Sequence, residues 1–87
     1  MRERLKKAIL LILYDNSIVN RGTSEEEALG EATARVEKHF PKETLDKVEA
    51  ELQTLSDTQL LDVCCGEQYT SISEEADAVL NIAFEEP

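Results

Sequence analysis

The sequence predicts an all-α fold, a compact bundle of about five short helices, on three observations. Apolar residues recur three and four positions apart in successive segments, the spacing of a helix with one buried face. Serines 24, 56 and 73 each stand immediately before such a segment, where a side-chain oxygen can accept from the first free backbone N–H groups. The breaks between segments are short, and no internal repeat, linker or low-complexity run divides the 87 residues, so one domain spans 1–87. A chain of this length buries only about 60–65% of its unfolded surface, which leaves an adequate but thin core.

Helix one is predicted from about Arg2 to Asn16 or a little beyond, with Leu5, Ala8, Ile9, Ile12 and Leu13 on one face. Leu10, Leu11 and Tyr14 fall outside that face. A helix apolar nearly all round is either central in its fold or in contact with a partner. A buried strand competes for so short a run, but the charged lead-in and the lack of turn signals favour the helix. The same basic start and apolar run invite comparison with a targeting signal. The run from Ala8 to Tyr14 is seven residues with no small-x-small cleavage site after it, and is well short of the roughly 20 needed to span a bilayer. It reads as the first helix of a cytosolic protein.

Asn20-Arg21-Gly22 breaks the chain, and Ser24 with Glu27 three residues on forms a capping box for helix two. Leu29, Ala32, Thr33, Val36 and Phe40 make its inward stripe, and Glu31 and Arg35 pair at i,i+4 on the other side. Gly30 lies mid-helix, where glycine costs about 1 kcal/mol against alanine; close packing against another helix is the explanation it suggests. Pro41 ends helix two and suits the first turn of helix three, whose Leu45, Val48, Leu52 and Leu55 are spaced three and four apart. Ser56 with Gln59 is a second capping box, opening a short helix through Leu60, Leu61, Val63 and Cys64 that Gly66 stops. After a connection from Gln68 to Ile72, Ser73 caps a last helix with Ala76, Val79, Leu80, Ala83 and Phe84 inward.

Charge sets the bounds on function. Nineteen acidic against nine basic residues give a net −10, distributed unevenly. Residues 1–7 carry Arg2, Arg4, Lys6 and Lys7 against Glu3, whereas no basic residue follows Lys47 and residues 48–87 hold ten carboxylates. Such a surface repels nucleic acid and anionic membranes and steers toward basic partners.

Catalytic and metal chemistry find little support. Cys64 and Cys65 are adjacent, a geometry unsuited to a mutual disulfide, and the single histidine, His39, is far away in sequence. Zinc wants four ligands from paired C-x2-4-C or His clusters, and a redox C-x-x-C is missing. The cysteine pair therefore reads as the end of a helix, with Cys64 packed and Cys65 partly exposed. His39 reads as a helix-end residue near the last carbonyls. The sequence contains no phosphate-binding glycine loop, G-x-S-x-G, H-E-x-x-H or EF-hand pattern. No catalytic residue, metal ligand or cofactor is assigned, and a non-enzymatic protein is expected.

The acidic side chains are the remaining asset. Glu74, Asp77, Asn81 and Glu85 project opposite the apolar stripe of the last helix, and Asp57, Asp62 and Glu67 come from the helix before it and its end. A solvated face that keeps a small protein soluble is the simplest reading of such residues. Yet solubility does not require forty residues without a lysine or arginine, and carboxylates spaced along a rigid helix can imitate a phosphate backbone.

"RERLKKAILLIL" followed by acidic helices is similar to the start of an acyl carrier protein. That family carries its prosthetic group on the serine of an Asp-Ser-Leu motif, and no Asp-Ser pair occurs here. In size, charge and helical content the chain resembles the small acidic inhibitors encoded by phages and mobile elements, anti-CRISPR proteins and DNA mimics among them. That resemblance implies a cytoplasmic inhibitor, acting in a host cell if phage-encoded, that covers a basic nucleic-acid-binding surface of its target. The rival expectation is a homodimeric assembly or adaptor module in which Leu10, Leu11 and Tyr14 of helix one are buried by two-fold pairing.

Overall fold

The computed structural model describes residues 2–19, 24–65 and 70–84. These form five helices and no strand: α1 (Glu3–Asp15), α2 (Glu25–His39), α3 (Lys42–Gln53), α4 (Asp57–Cys65) and α5 (Glu74–Phe84). The chain is an all-α bundle organised about α1, which packs against each of the other four helices, while α5 also packs on α2 and α3. The breaks at Asn20-Arg21-Gly22 and at Gly66, and the start of the connection at Gln68, lie outside the described residues.

The central position of α1 follows from its composition. Leu5, Ala8, Ile9, Ile12 and Leu13 are buried as the helical spacing predicts. Leu11, off that face, is half-buried against the core, so neighbouring helices of the same domain cover part of it. The helix closes on a Schellman motif: the Ile18 N–H donates to the Leu13 carbonyl at 3.0 Å and the Ser17 N–H to the Tyr14 carbonyl at 3.1 Å. Ser17 takes the left-handed conformation this requires, with φ 60°. Ile18 then folds back onto the core as the apolar partner of that motif.

The other helices differ from expectation by small rotations. In α2 the fully buried residues are Ala28, Ala32 and Val36, with Leu29 and Phe40 only partly covered, so the stripe begins one position earlier than predicted. Gly30 faces solvent with nothing within 4 Å of where a Cβ would stand, so close helix packing does not explain it. Pro41 stands at the N-cap of α3 rather than in its first turn. In α4, Leu60 and Val63 are buried while Leu61 is 51% exposed, and in α5 Phe84 leaves the stripe at 43% exposed. Both exposed residues have a physical reason. Leu61 lies a hundred degrees round the helix from Leu60, and Phe84, the last residue of α5, lies a hundred degrees round from Ala83.

Charged side chains bind the helices to one another at their ends. Arg2, the N-cap of α1, offers no side-chain acceptor. Glu49 of α3 supplies it instead, accepting from the Leu5 N–H at 2.8 Å and the Arg4 N–H at 3.2 Å, and from the Gln53 amide at 2.8 Å. Glu49 is thereby buried, 7% exposed, among the leucines of α3. Two residues on, Glu51 accepts from both the backbone N–H (2.8 Å) and the hydroxyl (2.5 Å) of Ser73 at the start of α5. At the far end of α5, Arg35 donates to the carbonyls of Ile82 (3.2 Å) and Ala83 (2.9 Å), where the negative helix end favours a cation. The surface partnership of Arg35 with Glu31 expected from spacing gives way to this contact. No buried side-chain nitrogen or oxygen among the described residues lacks a hydrogen-bond partner.

Candidate protein-binding surface

The helix framework sorts the carboxylates into those engaged by the fold and those left facing outward. Asp57 belongs to the first group. Its Oδ1 is 2.8 Å from Arg4 Nη1 and 3.4 Å from Lys7 Nζ, and the hydrogen bond from Arg4, with the Lys7 charge beside it, holds its carboxyl below the usual carboxylate range. The same Arg4 donates to the Leu55 carbonyl at 2.8 Å, so the basic start of α1 docks on the turn between α3 and α4. Arg2 likewise meets Asp46 at 3.0 Å and Glu37 at 4.0 Å. Asp62, half-buried, accepts from the Thr70 N–H at 2.7 Å and fixes the chain returning from α4.

The second group includes Glu26, Glu27 and Glu31 of α2 and Glu43 of α3 and, on α5, Glu74, Glu75 and Asp77. The three of α5 are exposed and make no ion pair among the described residues, and they occupy its first turn, where carboxylates favour the positive helix end. Asp77 accepts from the Asn81 amide one turn on, at 3.3 Å. Phe84 follows Asn81 by three residues, and Asp77, Asn81 and Phe84 together border a cleft of about 150 Å³ closed on its other side by Ile12, Asn16 and Cys64. Glu67 and Glu85, assigned to the acidic face from sequence, lie outside the described residues. Asp57 and Asp62 thus differ from Glu74 and Asp77 in having internal cations or a backbone N–H as partners. The helical spacing assigns Phe84 to the core, and its exposure has no local signal beyond its terminal position.

The apolar candidates on α1 divide as well. Leu10 is half-buried toward α2, among Leu29, Glu25 and Glu26, and Leu11 is half-buried toward α4. Tyr14 is 43% exposed, its hydroxyl donating to Glu25 Oε1 at 2.5 Å; that hydrogen bond, first among its causes, raises the phenol above its ordinary pKa.

The cysteines end α4 as free thiols. Burial foremost, with the neighbouring Cys65 and Asp15, pushes Cys64 up to about 12, and burial also raises Cys65, whose Sγ lies 3.5 Å from the Leu11 carbonyl. Both stay protonated near neutrality, so neither presents a thiolate. His39 places Nδ1 2.9 Å from the Arg35 carbonyl, as a helix-end residue does. Among the described residues no three His, Cys, Asp or Glu side chains are grouped to hold a metal ion, and no helix is long and apolar enough to cross a membrane.

No family model, curated protein or solved structure matches the chain.

Proposed function

We propose that this is a non-enzymatic binding protein whose α5 carboxylates dock on the basic surface of a protein partner, the favoured partner being a nucleic-acid-handling complex whose groove the protein occupies as an inhibitor. One observation carries the reading. Asp46, Glu49 and Glu51 of α3 and Asp57 of α4 are engaged by internal cations or backbone N–H groups, whereas α5 gathers three exposed carboxylates in its first turn, Glu74, Glu75 and Asp77, that make no ion pair among the described residues. Internal stability therefore leaves these three unexplained beyond a contribution at the helix N-terminus, and the sequence adds Glu85 and Glu86 directly after α5. Exposed Phe84, which borders the same cleft as Asp77, supplies the aromatic anchor that binding surfaces favour. Arg35 reaches α5 but is directed at its last carbonyls.

A face of this kind gains affinity by displacing counterions from the partner's basic groove and gains speed by steering, so binding weakens as salt rises. The test is capture from host lysate at low and moderate salt, with the retained proteins identified by mass spectrometry, followed by titration of the purified partner. Changing Glu74, Asp77 and Glu85 to their amides should weaken binding at least about tenfold and flatten its salt dependence, with the circular dichroism spectrum unchanged. Undiminished binding by that triple variant sinks the proposal.

A further inference from the structure

We propose that the cleft between α5 and the ends of α1 and α4 receives a single arginine side chain of the protein partner, its guanidinium against Asp77 and its plane over Phe84. The assignment rests on the reading of α5 as the partner-binding face and names the side chain that face selects. Asp77, Leu80, Asn81 and Phe84 recur three and four apart along α5 and share one side of it, while Ile12 and Asn16, the C-cap, stand one turn apart on α1. The space they border is about 150 Å³. Small-molecule sites begin near about 300 Å³, whereas a cleft this small suits one side chain.

The polar groups of the cleft identify its occupant. Asn16 donates its amide nitrogen to the Ile12 carbonyl at 2.8 Å, and Asn81 donates its own to Asp77 Oδ2 at 3.3 Å. Both amide oxygens and Asp77 Oδ1 therefore stay available as acceptors. No lysine or arginine lines the cleft among the described residues. Arg35 reaches the end of α5 but is directed at the Ile82 and Ala83 carbonyls. Helices α1 and α4 both end here with no basic residue in their last turns, and a negative helix end favours a cation. Arginine meets this lining better than lysine does. Its five N–H groups can serve several oxygens at once, and its flat, weakly hydrated head stacks on an exposed aromatic ring such as Phe84. Its methylenes can lie along the apolar floor of Ile12 and Leu80. Arginines of this kind are what a phosphate-binding groove presents.

Titration of the isotope-labelled full chain with a hexa-arginine peptide and, separately, a hexa-lysine peptide tests the assignment by NMR at about 0.15 M salt. The two peptides carry equal charge, so general attraction to the acidic surface is common to both. The arginine peptide is expected to bind at least about threefold more tightly and to move the side-chain amide signals of Asn16 and Asn81. Phe84→Leu, at an exposed helix end where folding is not at stake, should abolish that preference and leave lysine-peptide binding unchanged. Equal affinity for the two peptides overturns the assignment. So do unmoved Asn16 signals, or a Phe84→Leu chain that still prefers arginine. None of these results touches the acidic-face reading, which falls only if the amide variant of Glu74, Asp77 and Glu85 binds the partner undiminished.

Discussion

Helices α2 and α4 begin on signals written in their own sequences, whereas α1 and α5 begin on carboxylates supplied by α3. At α4 the box is reciprocal: the Gln59 N–H donates to Ser56 Oγ at 3.1 Å, and the Ser56 N–H donates to Gln59 Oε1 at 2.9 Å. Ser24 likewise accepts from the Glu27 N–H of α2 at 3.1 Å. At α5, Ser73 accepts from the Ala76 N–H at 3.1 Å, but alanine at that third position cannot return the bond, and Glu51 does so from across the bundle. At α1 even the cap side chain is missing, and Glu49 stands in for it. The comparison teaches that a helix without a local cap can still satisfy its first N–H groups, but only after another helix has packed beside it. Caps of the first kind stabilise the helix, and those of the second kind stabilise the fold.

The contrast can be broken most severely at Glu49. Glu49→Ala leaves two backbone N–H groups and the Gln53 amide without their carboxylate, and should cost about 2–4 kcal/mol in urea unfolding. Glu49→Gln, which keeps one acceptor, should cost about half as much. A loss below about 0.5 kcal/mol for the alanine variant would mean that water replaces Glu49 and that α1 needs no remote cap.

Removing the Glu51–Ser73 link should cost about 1 kcal/mol, and a double-mutant cycle on Glu51→Ala and Ser73→Ala should show coupling of about 0.5–1 kcal/mol. Ser56→Ala should cost a similar amount, about 1 kcal/mol, yet add independently to Glu51→Ala. Coupling between Ser56 and Glu51 would erase the distinction between local and remote caps. Amide hydrogen exchange gives a second view, since Glu51→Ala should speed exchange in the first turn of α5 more than in α4.

Where a helix is set locally, local propensity should act without interference. Gly30→Ala enters open space on the exposed side of α2 and should raise stability by about 0.5–1 kcal/mol by thermal or urea unfolding. No gain would mean that the glycine has a role other than helix formation.

The smallest effect belongs to the exposed Asp57. Its folded pKa is depressed, so its contribution is complete above the unfolded value near 4 and is lost as pH falls through the lower folded value. Asp57→Asn should therefore shrink the acid-side fall in stability while changing little between the variants' dependence on pH near neutrality. An acid limb identical in both proteins would show that the Arg4 and Lys7 contacts do not survive in solution.

Much of the acidic surface inferred from sequence changes meaning in the folded chain. Glu49 and Glu51 count equally with Glu74 and Asp77 in a tally of charge, yet Glu49 is buried between Val48 and Leu52 and Glu51 is tied to Ser73. A helical wheel shows that Glu49 sits on the apolar stripe of α3 but does not show what would make a carboxylate tolerable there. The missing cap on α1, with arginine where serine stands before α2 and α4, was the one available hint. Leu61 and Phe84 failed in the opposite sense, because apolarity marks a residue for burial only where a neighbour exists to cover it.

By itself the sequence determined the five helices, the inward stripe of α1 and the reciprocal cap of α4, since helical periodicity and capping act over a few residues along the chain. Only the tertiary structure decided which carboxylates hold helix ends and which face outward. That choice depends on N–H groups and cations brought close from 22 to 53 positions away, as Ser73 is to Glu51, Leu5 to Glu49 and Arg4 to Asp57, and no local pattern encodes a distance that packing alone creates.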